Sequence, residues 1–138
     1  MSNVYRRKRS ESEMEFYNTA IELRKQITKL CMREKVFPKR YRFVYSIPII
    51  ELARDMTQNI TFANSIYPTN QSEAELRRTY QIQAIGCCEA LLQEFQYAYE
   101  VLPIPENTAR KITAMLLRES KMLRGWKKKD VSRYMFDE

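Results

Sequence analysis

The alternation of apolar and polar positions divides the chain into four stretches of helical period, separated by three breaks that each carry proline. Phe16, Ala20, Leu23, Ile27 and Leu30 recur at steps of four and three, with Glu15, Glu22, Lys25, Lys29 and Arg33 off that stripe. The spacing predicts a first helix from about Glu11 to Val36. Pro38 ends it, because proline disfavours helical geometry in the residue before it and lacks an amide donor. A second helix is predicted from about Tyr41 to Tyr67, with Ile49, Ala53, Met56, Ile60, Ala63 and Tyr67 inward. Pro48 lies within it. Either it kinks the axis, or the regular helix begins there with residues 41–47 as a looser lead-in. Ser72 and Glu75 fit a capping box opening a third helix, whose stripe runs through Leu76, Tyr80, Ala84, Cys87, Leu91, Phe95, Ala98 and Leu102. Pro103 and Pro105 end it. The fourth helix starts near Glu106 and turns Ala109, Ile112, Leu116, Leu123 and Trp126 inward, with Glu119 interrupting the stripe.

Four amphipathic helices on short connections fold most simply as an all-α, up-down-up-down antiparallel four-helix bundle. The 138 residues suffice for one core and not two. Residues 1–10, with Arg6, Arg7, Lys8 and Arg9 and almost nothing apolar, read as a basic tail that stays mobile until a partner orders it. Residues 11–126 form the bundle, and residues 127–138 read as a basic, polar C-terminal tail. No internal repeat is visible.

Composition removes several kinds of chemistry. The chain has no histidine, the commonest general base, and no glycine-rich phosphate loop, so no enzymatic activity and no cofactor are expected. Cys31, Cys87 and Cys88 are three in number, on helical segments, without C-x-x-C spacing, and read as reduced packing residues rather than metal ligands. Gly86, Cys87 and Cys88 together make a small-residue patch suited to a close helix neighbour. No apolar run approaches the roughly 18 residues of a membrane span, and no apolar core follows the N-terminal charges, so a cytoplasmic protein without membrane attachment is expected.

The charge is unevenly placed. The net is +7 over residues 1–42, −4 over residues 43–102 and +4 over residues 103–138, totalling +7. In an up-down bundle the first and last helices are neighbours, which sets the two cationic segments side by side. Lys25, Lys29 and Arg33 stack at four-residue spacing, and Arg110, Lys111, Arg118, Lys121, Arg124 and Lys128 share a broad arc. Lys39, Arg40 and Arg42 extend this surface at one end and Lys127, Lys128 and Lys129 at the other. A continuous cationic face of this kind suits a phosphate backbone. Tyr41, Phe43 and Tyr45 either cap the core or stack on unpaired bases. Trp126, after Gly125, either closes the bundle or anchors another chain. The other reading of the basic face is a protein-binding oligomeric scaffold that meets an acidic partner.

Pro38, Lys39, Tyr41, Arg42 and Phe43 leading into the second helix, a long third helix, and Gly125–Trp126 closing the fourth resemble the accessory variability determinant proteins of diversity-generating retroelements. That family is related to the four-helix proteins encoded in ribosomal-RNA intervening sequences. The likeness spans roughly Glu13 to Lys128. It implies a homopentameric barrel of four-helix bundles that binds a reverse transcriptase and nucleic acid, RNA or DNA, in mutagenic retrohoming, with the chemistry belonging to the polymerase.

Overall fold

The computed structural model describes residues 14–136. Among them are four long helices and no strand: α1 (Glu15–Cys31), α2 (Ile47–Asn64), α3 (Gln71–Val101) and α4 (Glu106–Arg133). The described residues are therefore all-helical, as the periodicity predicts. The basic tail with Arg6, Arg7, Lys8 and Arg9 lies outside the described residues.

Each helix packs on its neighbour in sequence, and α4 returns to α1. The α2–α3 interface is the most extensive. Ala53 and Ala63 on α2, with Ala84 and Ala98 on α3, are wholly buried. Side chains this small permit a short interaxial distance. Around them Leu23, Ile27, Ile49, Met56, Ile60, Leu91, Phe95, Ile112, Leu116 and Leu123 complete a core drawn from all four helices.

The helix ends differ from the sequence expectation in instructive ways. Helix α1 stops at Cys31, short of Val36, because the next residues coil into turns in which the Arg33 carbonyl accepts from the amides of both Val36 and Phe37. That folds Val36 and Phe37, each 3% exposed, over the end of the core. A single 3₁₀ turn at Lys39–Tyr41 and a π-helical turn at Arg42–Ser46 follow. Helix α2 proper begins at Ile47 with Pro48 in its first turn. Of the two readings of Pro48, the late start is the observed one. The Ile47 amide reaches back five residues to the Arg42 carbonyl, a widened turn that accommodates a residue with no amide of its own. Helix α2 also ends at Asn64, so Tyr67 is 79% exposed rather than inward.

Helix α3 opens two residues before the expected Ser72–Glu75 box. Asn70 Oδ1 accepts from the Glu73 amide at 2.9 Å, while Glu73 Oε1 accepts from the Thr69 amide and hydroxyl, both at 2.7 Å. Those hydrogen bonds, side chain first and backbone second, hold the Glu73 carboxyl below its ordinary value. Ala84, Leu91, Phe95, Ala98 and Leu102 are buried as the predicted stripe of α3 requires, but in its first half the buried face is shifted by one residue: Arg77, Gln81, Ile85 and Cys88 point inward, whereas Leu76 is exposed and Tyr80 and Cys87 are partly buried. Gly86 is exposed, with nothing within 4 Å of where a Cβ would stand, so no helix approaches it closely. Finally, α4 continues seven residues past Trp126 to Arg133, and residues 127–133 are helix rather than tail.

Candidate functional site

The inward turn of Arg77 is explained by what it holds together. From α3 its guanidinium donates to the carbonyls of Ala63, at 3.1 Å, and Ile66, at 2.9 Å, at and just beyond the end of α2. Its Nε donates to Asp130 of α4 at 2.5 Å, and Gln81 Nε2 donates to the same carboxylate at 2.7 Å. The rings of Trp126 and Tyr134 lie 5.4 and 5.2 Å from the guanidinium carbon. Trp126 also stacks on Phe16 of α1, with ring centroids 4.2 Å apart. It therefore closes the bundle. This clasp ties all four helices at one end, and its members are spent on each other rather than offered to a ligand. The crevice beside it, lined by Gln71, Ala74, Glu75, Arg78, Gln81, Asp130 and Tyr134, has a volume of about 20 Å³, room for about one water.

The surface cations are arranged differently. Lys25, Lys29, Arg33, Lys39, Arg40, Arg42, Arg110, Lys111, Arg118, Lys121, Arg124, Lys128 and Lys129 are exposed, and Lys127 is partly buried. The contact of α1 with α4 brings their cationic outer faces side by side. Within that face the cations fall into two classes. Arg118 pairs with Glu15 of α1, Arg124 with Glu89 of α3, Arg110 with Glu106 at 2.6 Å and Lys25 with Glu22 at 4.0 Å. Lys29, Lys111, Lys121, Lys128 and Lys129 have no such partner among the described residues. Lys121 stands three residues from both Arg118 and Arg124, so helical geometry places it outward, midway between the seams with α1 and α3. The arc is thus bounded on each side by an ion pair, with Lys121 and Lys128 along its crest and Lys111 and Lys129 turned toward the α1 side. Arg33 departs from the predicted stripe, since α1 has ended before it and it belongs to the turn that follows.

At the α1–α2 connection the three aromatic residues divide. Tyr45 is buried, 6.2 Å from the ring of Tyr97 on α3 and 6.2 Å, edge-on, from that of Tyr41. Phe43 is 81% exposed. The Arg40 guanidinium lies over the Tyr41 ring at 4.9 Å. Burial, then the phenols of Tyr97 and Tyr41, and then Glu94 push the Tyr45 hydroxyl above its ordinary value.

The three cysteine thiols are poorly placed to act as nucleophiles. Cys31 and Cys88 are buried and free, and burial pushes each thiol up to about 12, far from the thiolate form. Cys87 is raised in the same direction by burial and then by Asp55. Glu119 is wholly buried beneath the cationic arc, and neither carboxylate oxygen has a hydrogen-bond partner among the described residues. Among those residues no group of three or more acidic or cysteine side chains is placed to hold a metal ion, and no helix is long and apolar enough to cross a membrane. Sequence reasoning found the exposed cations through their helical spacing. It missed Arg77 and Asp130, for which the predicted stripes gave no signal, and the burial of Glu119, for which the only signal was a charged residue at an inward position. Compared with models of known protein families, with curated proteins and with solved structures, the chain gives no match in any of the three.

Proposed function

We propose that this chain is a non-catalytic nucleic-acid-binding accessory protein that holds a phosphate backbone along the outer face of α1 and α4. The observation that carries the reading is a set of exposed lysines without an acidic partner among the described residues, Lys29 on α1 and Lys111, Lys121, Lys128 and Lys129 on α4, on two helices in contact. Exposed lysines at helical spacing meet phosphates without reading bases. The finer reading adds helices that alternate up and down, favoured by packing between sequence neighbours, and assembly into a homo-oligomer. The resemblance described above makes that oligomer a pentamer and the protein partner a cytoplasmic reverse transcriptase, whose template RNA or cDNA product the cationic face would hold.

The test is salt-dependent binding of single-stranded RNA by the double variant Lys29→Ala/Lys121→Ala. Each phosphate contact contributes about −0.7 to the slope of log affinity against log salt, so losing two flattens it by about 1.4. Affinity falls similarly for all sequences, while Glu51→Ala/Glu94→Ala leaves it unchanged or higher. Both lysines are exposed, so the fold is retained, and light scattering reports the assembly. An unchanged affinity and slope would replace this reading with a scaffold that docks an acidic protein.

A further inference from the structure

The segment from Pro38 to Ser46 carries a feature that phosphate binding alone does not use. Its turns have two sides. Tyr45 and Ser46, 8% and 7% exposed, anchor it to the core, while Phe43 and Val44, 81% and 60% exposed, stand outward from the same π-helical turn. One exposed phenylalanine on a protein surface is unremarkable. This one sits among three exposed cations, Lys39, Arg40 and Arg42, and residues 35–50 contain no acid. The backbone beneath is held by the Ile47 amide on the Arg42 carbonyl and the Tyr41 amide on the Pro38 carbonyl. Arg40 is already oriented over the Tyr41 ring. Tyr45 also neighbours Tyr97, 55% exposed, and the acid Glu94.

We infer that this segment is a stacking platform for single-stranded nucleic acid: Phe43 receives an unpaired base while Lys39, Arg40 and Arg42 hold the flanking phosphates. The inference rests on the nucleic-acid reading above and sharpens it. A duplex offers its phosphates to the same cations but keeps its base faces covered, so only a single strand gains the stacking contact. The chain should therefore prefer single strands, through a residue that bears no charge.

The experiment measures fluorescence anisotropy of a labelled oligouridylate and of an RNA duplex of equal length against the full chain, Phe43→Ala and Phe43→Tyr. Phe43→Ala is expected to weaken oligouridylate binding about tenfold, within the range for loss of one stacked base, with an unchanged salt slope and duplex binding altered less than about twofold. Phe43→Tyr, which keeps a ring, is expected to retain binding. Because Phe43 is outside the core, thermal melting should be unchanged for both variants. Equal affinity of Phe43→Ala and the unaltered chain for oligouridylate overturns the platform while leaving the lysine crest intact. A fall in particle mass by light scattering on Phe43→Ala also overturns it, because the patch is then a contact between copies. Failure of the unaltered chain to bind either probe overturns both this inference and the function it rests on.

Discussion

Glu119 has no contact with solvent and no partner for either carboxylate oxygen among the described residues. Burial is the largest influence on it; Arg118 on its own helix opposes this and Glu15 of α1 reinforces it, with the outcome that its carboxyl is pushed up from 4.5 to about 8. In the folded chain at neutral pH it is thus protonated, whereas in the unfolded chain it is ionised. Folding takes up a proton between these two values, so stability falls as pH rises from about 4.5 and levels off above about 8. Glu119→Leu should remove this contribution and raise stability at pH 7 by about 1–3 kcal/mol, the cost of a buried polar group without a partner. Urea melts of the two chains at pH 5, 7 and 9 check it: the gap should widen with pH. A constant gap would place the carboxyl in contact with water.

At the scale of elements, the cap of α3 is the clearest local determinant. Asn70→Ala removes the acceptor for the Glu73 amide and should cost about 1 kcal/mol in thermal or urea unfolding, while Ser72→Ala should cost little because Ser72 is not the cap. The four helices were legible in the sequence because their apolar stripes recur every three or four residues, which is local information. The cap was misplaced by two residues because Asn70 and Ser72 are both competent acceptors, each followed at three residues by a glutamate. The one-residue shift of the buried face in the first half of α3 was not legible. Arg77 and Gln81 are poor core residues by type and become good ones only through Asp130, 53 and 49 residues away. The end of α4 was hidden for a related reason: Lys127, Lys128 and Lys129 read as a polar tail unless Asp130 beyond them is known to be buried. For the surface, the exposure of the cations followed from spacing. The pairings of Arg118 with Glu15 and Arg124 with Glu89 join residues distant in sequence, and no local pattern announces them.

Across the whole molecule, the clasp of Arg77 and Asp130 joins all four helices at one end of their shared core. Asp130→Ala leaves a buried guanidinium without its anion and should cost about 3–5 kcal/mol in urea unfolding. The double variant Arg77→Met/Asp130→Leu should recover part of that, because it removes the uncompensated charge but takes from the Gln81 amide and the Ile66 carbonyl the partners they had. Recovery by the double change would identify the loss as one of an uncompensated charge rather than of shape. The same clasp also sets an order of events on the ribosome. Arg77 is made 53 residues before Asp130. At about 5–20 residues per second, the guanidinium waits roughly 3–10 s for its carboxylate, with Trp126 arriving only shortly earlier. Throughout that interval the apolar stripes of α1, α2 and α3 have no fourth helix to cover them. The nascent chain therefore exposes an amphipathic surface that is covered only once the last turns of α4 have emerged.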